Sequence, residues 1–489
     1  MAKRLQVGGM RETFIQLSAS SVKGMEIAVR AIVKAGGRVL YAVPPKALVA
    51  SLPEGGEKEL TGAYGIVMAT SGPIARRAIA DSAHRVWNEH LSLDRRLRSI
   101  EAAKYSRGWD NPGSKSLHPP KEIQAHLRGR EAAGPITAFG GPRIMTIPVL
   151  AGRIAVGVIL VDSNEPALQI TDEEETKVIS EITEGLNMLS GFEPRAGIEW
   201  FFDFKRPKLS VPLSDFPGGA PETWEDLWRN PAMEAFGFSA SLQGMNDYIN
   251  ALRNQFTAEW AYAIYVTKYP KTWYAYHWGN HLVTDFQADV WGIDNLNLIV
   301  AHETAHIFGC PDEYPSSQCN CTDLFGRFQI PNGNCDNCAA TGVACLMKAN
   351  TPSVCDYTRG HLGWTELAVL RKGAFNLKKM RTFDFETGLL NPDSGADILW
   401  EHIGDVTRLL VPQNGAMLAN LGLADFDVVS HQRLSSLSYL ATPIEGSDNS
   451  SNALPTGAVV GVRTNSGRFA KLKIKSYGPT LGLEYVTYQ

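Results

Sequence analysis

The chain has 489 residues, of which 44% are hydrophobic and 20% charged, and so describes a globular protein too long for one ordinary core; about two to four domains are expected. Its formal net charge of -4 provides no basic footprint for nucleic acid, so no nucleic-acid partner is expected. The longest uninterrupted apolar run, near Ile154 to Val161, falls far short of the ~20 residues a membrane span needs.

The opening residues Met1-Ala2-Lys3-Arg4-Leu5-Gln6-Val7-Gly8-Gly9 carry positive charge with no apolar stretch behind it, and do not read as a secretory signal peptide. The expectation is a cytoplasmic protein, with export by a signal-independent route as the alternative. Residues 1–165 read as an N-terminal α/β region, a prodomain or accessory module. In it Val39-Leu40-Tyr41-Ala42-Val43 and Ala47-Leu48-Val49-Ala50 are short strands around the Pro44-Pro45 turn, and Gly65-Ile66-Val67-Met68 is a third. Residues 82–135 are polar and suit a helical or loosely ordered connection, after which Arg143 to Pro148 and Arg153 to Val161 are expected to pair as strands.

Thr171-Asp172-Glu173-Glu174 is a capping-box signature. Behind it Val178, Ile179, Ile182, Leu186 and Leu189 recur at helical spacing, which predicts an amphipathic helix over 172–190. Ile198 to Phe204 reads as a strand and Met245 to Phe256 as a helix. Strands over Ala261 to Val266, Trp273 to Tyr276 and His281 to Val283 then lead to a helix capped by Asp294.

That helix holds His302-Glu303-Thr304-Ala305-His306-Ile307-Phe308-Gly309-Cys310-Pro311-Asp312. Two histidines four residues apart share one helix face, so both imidazoles can reach one metal ion. Glu303 lies about 100° round the axis, close enough to handle a water on that metal. Gly309 can end the helix in a left-handed conformation, and the returning chain can deliver Asp312 as third ligand. Glu313 and, with less reach, Cys310 are its rivals. Two imidazoles and a carboxylate suit a tetrahedral Zn2+ with one open position, with Glu303 as general base.

The extended motif resembles the metzincin clan of zinc endopeptidases, over about residues 172–366. The resemblance implies His302, His306 and Asp312 as zinc ligands, Glu303 as catalytic base and Met347 as the methionine of a turn lying beneath the metal. The Cys345-Leu346-Met347 form looks like the adamalysin-type turn, while an aspartate as third ligand is snapalysin-like. No tyrosine stands two residues after Met347, so the tyrosine ligand of some members is not supported; Tyr357 is a candidate transition-state donor, with packing as its blander role. The fold expected is α+β: a metzincin-like zinc protease domain over 166–366, with a Cys-rich insert at 310–355, flanked by the N-terminal α/β region and a β-rich domain over 367–489. In the last, Val459 to Thr464, Ala470 to Ile474 and Leu483 to Thr487 read as strands.

All seven cysteines lie between Cys310 and Cys355, so no N-terminal cysteine can hold the enzyme latent over its metal. Cys319, Cys321, Cys335 and Cys338 can form a second, structural Zn2+ site or two disulfides, with Cys345–Cys355 a third and Cys310 left over. The missing signal peptide tilts this choice toward zinc. Asn332, Asn334 and Asp336 are a weak candidate Ca2+ cluster, and His361 reads as structural. The function expected is hydrolysis of a protein or peptide substrate. Its alternatives are an inactive metzincin-like scaffold and a zinc hydrolase of non-peptide amides. The C-terminal domain is a candidate binder of carbohydrate or protein.

Overall fold

A computed structural model describes residues 10–18, 22–43, 47–60, 65–74, 85, 87–88, 109, 148–216, 221–271, 274–287, 291–404 and 406–489. The Met1 to Gly9 segment, the Pro44-Pro45 turn, residues 143–147 and almost all of 82–135 lie outside the described residues. The protein is α+β and divides into two compact units, residues 1–323 with 332–358, and residues 324–331 with 359–489.

The first unit is built on one large sheet. Strands β1 (Met10–Leu17), β2 (Arg38–Val43), β3 (Ala47–Pro53) and β4 (Ile66–Thr70) make its N-terminal part, with helices α1 (Val22–Lys34) and α2 (Gly56–Leu60) between them. The remainder comprises β5 (Arg153–Ser163), β6 (Glu199–Lys205), β7 (Lys208–Leu209), β8 (Trp260–Thr267), β9 (Ala275–Trp278) and β10 (His281–Asp285). The order is β4-β1-β3-β2-β6-β5-β8-β10-β9, with β7 beside the end of β5. The sheet thus joins strands from before and after residue 165.

β5 corrects an expectation. It pairs in parallel with β6 and β8 in the middle of the sheet instead of forming one arm of a hairpin. The reason is in its composition: Ile154 to Ser163 is buried at every position, as a strand covered on both faces must be. One covering layer is α4 (Pro221–Ala235) and α5 (Leu242–Phe256), whose Trp228, Met233, Tyr248 and Leu252 join Ala155, Ile159, Tyr265 and Val283 in one core. The other is α3 (Asp172–Gly191) and α6 (Leu296–Ile307), where Trp200 of β6 donates to Leu186 O and Tyr262 of β8 meets Thr304.

The capping box forms as expected: Glu174 N–H donates to Thr171 Oγ1 at 3.2 Å and Thr171 N–H to Glu174 Oε2 at 2.8 Å. Asp294 does not cap α6. The cap residue is Asn295, after a 3-10 turn, and the Asp294 carboxylate instead receives Lys177 Nζ of α3 at 2.5 Å.

Lys177 also donates to the buried Glu181, whose pKa burial lifts from its ordinary 4.5 to about 7 against the pull of that lysine. A raised folded pKa means that the contribution of this carboxyl to stability is full below pH ~4.5 and is lost as pH rises to about 7. At 1.36 kcal/mol per unit the loss is on the order of 3 kcal/mol. Glu181→Gln should therefore be more stable than the wild type in urea unfolding at pH 8 and equal to it near pH 4; equal stability at both would refute the burial effect.

The second unit is β-rich. A five-stranded and a four-stranded antiparallel sheet enclose a core that includes Phe383, Phe385, Trp400, Leu410, Leu472 and Leu483. The three strands expected here are present as Val459–Arg463, Phe469–Ser476 and Thr480–Tyr488. No helix among the described residues is long and apolar enough to cross a membrane.

Candidate metal centre

α6 is buried at all twelve positions, from Leu296 to Ile307, which fits its place beneath the sheet and beside α3. It ends as the glycine predicts. Gly309 has φ +88°, its N–H donates to His306 O, and Cys310 N–H reaches back to Ala305 O, satisfying the last carbonyls of the helix. The chain can then reverse and bring Asp312 against the two histidines.

His302 Nε2 and His306 Nε2 stand 3.0 Å apart, and each is 3.2 Å from Asp312 Oδ1. The other nitrogen of each ring is committed. His302 Nδ1–H donates to Leu346 O at 3.0 Å, and His306 Nδ1–H to Cys310 O at 2.7 Å. A carbonyl only accepts, so both Nδ1 atoms carry protons and both Nε2 lone pairs turn toward Asp312. Three contacts in a triangle cannot each have their own proton, because a ring nitrogen that donates has no lone pair with which to accept. A cation at the centre satisfies all three. Tetrahedral zinc with arms of ~2.0–2.1 Å sets its ligand atoms about 3.3 Å apart, close to the spacing found, so the donor set fits that ion.

Several residues around this triangle were not visible as site residues in the sequence. The buried Tyr314 hydroxyl hydrogen-bonds the Asp312 carboxylate, and burial, with the Asp312 and Glu303 charges, pushes its pKa well above the usual 10. Trp109 donates its indole N–H to Leu346 O at 2.6 Å, the carbonyl that also holds His302, and its ring packs 4.9 Å from the His302 ring. These outer contacts fix the rotamers of His302 and Asp312; around a bound metal, loss of such contacts usually shows as lost metal affinity. His277 of β9 lies with its ring stacked on His306 and its Nδ1 3.8 Å from Glu303 Oε2. None of the three sits at a fixed motif offset, except that Tyr314 follows Asp312 by two positions.

Glu303 is fully buried, with an oxygen within 4.8 Å of ring nitrogens of His277 and His306. Met347 is also fully buried, and its carbonyl receives Glu313 N–H at 2.9 Å, so the turn carrying it is tied to the segment that delivers Asp312.

Glu313, the rival third ligand, faces away from the histidines. Its carboxylate is held by Asn334 Nδ2 at 2.6 Å, Thr358 Oγ1 at 3.0 Å and Cys355 Sγ at 3.1 Å. Cys310 contributes its carbonyl to His306, while its thiol lies near Thr358 O and burial raises the thiol pKa well above 9.

The four cysteines of the insert, read as a structural zinc site or two disulfides, form two disulfides. Cys319 is bonded to Cys335 and Cys321 to Cys338, and a sulfur in a disulfide offers no thiolate to a metal. Cys345 and Cys355, the third candidate pair, are free and buried. The side chains of the weak calcium candidate are engaged by neighbouring protein groups. Lys348 Nζ binds Asp336 at 2.7 Å, Asn334 holds Glu313, and Asn332 Nδ2 donates to Asp312 O, so these side chains brace the insert. The Tyr357 ring lies against Gly333, where an added Cβ would come within 2.2 Å of it. His361 binds Ile330 O at 3.1 Å, and burial lowers its pKa to about 4, a neutral structural histidine.

No protein-family model matches the chain, and no curated protein matches it.

Proposed function

We propose that the protein is a zinc-dependent endopeptidase whose metzincin-like catalytic domain binds the metal through His302, His306 and Asp312. The reading is carried by the triangle of acceptor atoms, 3.0–3.2 Å on each side, with the buried Glu303 beside it. A metal ion bound there supplies Lewis acidity, making a water acidic and polarising a carbonyl. The chain's own residues do the rest. The Leu346 and Cys310 carbonyls hold the two imidazoles in the tautomer that presents Nε2, and Tyr314 orients the Asp312 carboxylate. Glu303 accepts the proton of the attacking water and returns it to the departing amine. Its presence favours catalysis over a scaffold role, since binding a metal with three other side chains leaves no use for a buried carboxylate at this position.

The two disulfides favour an oxidising compartment over the cytoplasmic location expected from the N-terminus. For the β-rich unit the proposal is a carbohydrate or protein ligand.

Incubation of the purified chain with casein tests the reading. Hydrolysis should be abolished by a chelator, restored by zinc, and accompanied by one zinc per chain in metal analysis. A zinc-loaded chain that cleaves only small amides would move the assignment to a non-peptide amidase. One that cleaves nothing would move it to a scaffold.

A further inference from the structure

β9, which carries His277, is the edge strand of the large sheet and runs antiparallel to β10. Side chains alternate along a strand. Tyr276 points to the α4 side, where its hydroxyl donates to Glu225 Oε2 at 2.9 Å. Glu225 is held there as a carboxylate: burial opposes its charge, but His281 and Arg229 outweigh burial and keep its pKa far below the usual range. The anchor fixes β9 and directs the next residue, His277, to the opposite face, where α6 lies.

There the His277 ring lies nearly parallel to His306, at 19° and 4.6 Å between centroids, and its Nδ1 stands 3.8 Å from Glu303 Oε2. Exposure separates its part from that of its neighbours. The His277 side chain is 34% accessible, against 0% for Glu303 and 4% for His306, so of the three it is the one partly open to solvent. Stacking also decides against a ligand role. With its ring nearly parallel to that of His306, the nitrogens of His277 lie in a different plane from the nitrogen of His306 that meets Asp312.

We propose that His277 is a catalytic hydrogen-bond donor to the oxyanion formed when water adds to the scissile carbonyl; this rests on the endopeptidase reading above. The water oxygen bonds to the carbonyl carbon while its proton passes to Glu303, and the carbonyl π pair moves onto oxygen. His277 Nδ1–H donates to that oxygen and keeps its proton. When the C–N bond breaks, its electron pair leaves with the amine, which takes the proton from Glu303.

The test compares wild type, His277→Ala and His277→Asn as zinc-loaded full-length chains on one peptide substrate. Loss of an oxyanion donor should lower kcat about 10²-fold in His277→Ala with little change in KM. His277→Asn, whose amide can donate from the Nδ1 position, should recover at least about ten-fold of that loss. A phosphonate peptide, measured by calorimetry as a tetrahedral analogue, should bind His277→Ala about 10²-fold more weakly, with zinc still at one per chain. The inference is overturned if kcat changes by less than about three-fold, if the loss appears only in KM, or if both variants lose zinc. An active wild type with an equally active His277→Ala defeats this inference alone, whereas a wild type that cleaves no peptide defeats the endopeptidase reading and this inference with it.

Discussion

Glu303→Gln should reduce kcat/KM for peptide hydrolysis by about 10³-fold while leaving zinc at one per chain. General bases of this kind contribute roughly 10² to 10⁴ in rate, and a glutamine of the same shape cannot take a proton from water. The substitution should not disturb the metal, because the converging ligand atoms belong to His302, His306 and Asp312. Nor should it open a cavity, since the two side chains are nearly isosteric at a fully buried site. The pair of measurements is therefore discriminating. Activity within ten-fold of wild type would remove Glu303 from the base role. Activity and zinc lost together would make it a structural residue instead.

The second large effect belongs to a residue with no chemistry of its own. Gly185 of α3 faces α6 where the two helices touch backbone to backbone, and a Cβ there would stand 2.1 Å from Asn297 O and 2.8 Å from Asn297 C. These are main-chain atoms, so no side-chain rotation relieves the overlap. Alanine gains about 1 kcal/mol in helix propensity over glycine, but overpacking against rigid backbone costs up to ~3 kcal/mol or more. Gly185→Ala should thus be destabilised by about 2 kcal/mol net in denaturant unfolding. Because Asn297 and His302 share α6, the displaced helix should also bind zinc more weakly. Stability within about 0.5 kcal/mol of wild type would show that α6 is not held at this crossing.

What could be read along the chain was local. The capping box at Thr171 and Glu174, the left-handed Gly309 and the shared face of His302 and His306 depend on offsets of three to seven residues, over which backbone geometry fixes who meets whom. Helix α4 was missed: its interior Pro231 reads as a breaker, yet Trp228 and Met233 bury against the sheet and outweigh it. Cysteine pairing was undecided because four cysteines allow three connectivities, and only proximity in space selects Cys319–Cys335 and Cys321–Cys338. Asp294 resembled a helix cap in isolation but was claimed by Lys177 from another helix.

By itself the sequence determined a local arrangement, on which the proposed chemistry rests: two imidazoles, a neighbouring carboxylate and a helix end placed by the 3.6-residue turn. The tertiary structure alone decided which carboxylate stands against the two imidazoles. Asp312 and Glu313 are adjacent in the chain and alike in chemistry, and they part only because Asn334, Thr358 and Cys355 hold Glu313 on the other side. It also brought in His277 and Trp109, which come from a distant strand and a distant segment. Periodicity carries information across a few turns of helix; the approach of elements dozens to hundreds of residues apart is set by how the whole sheet and its covering helices pack.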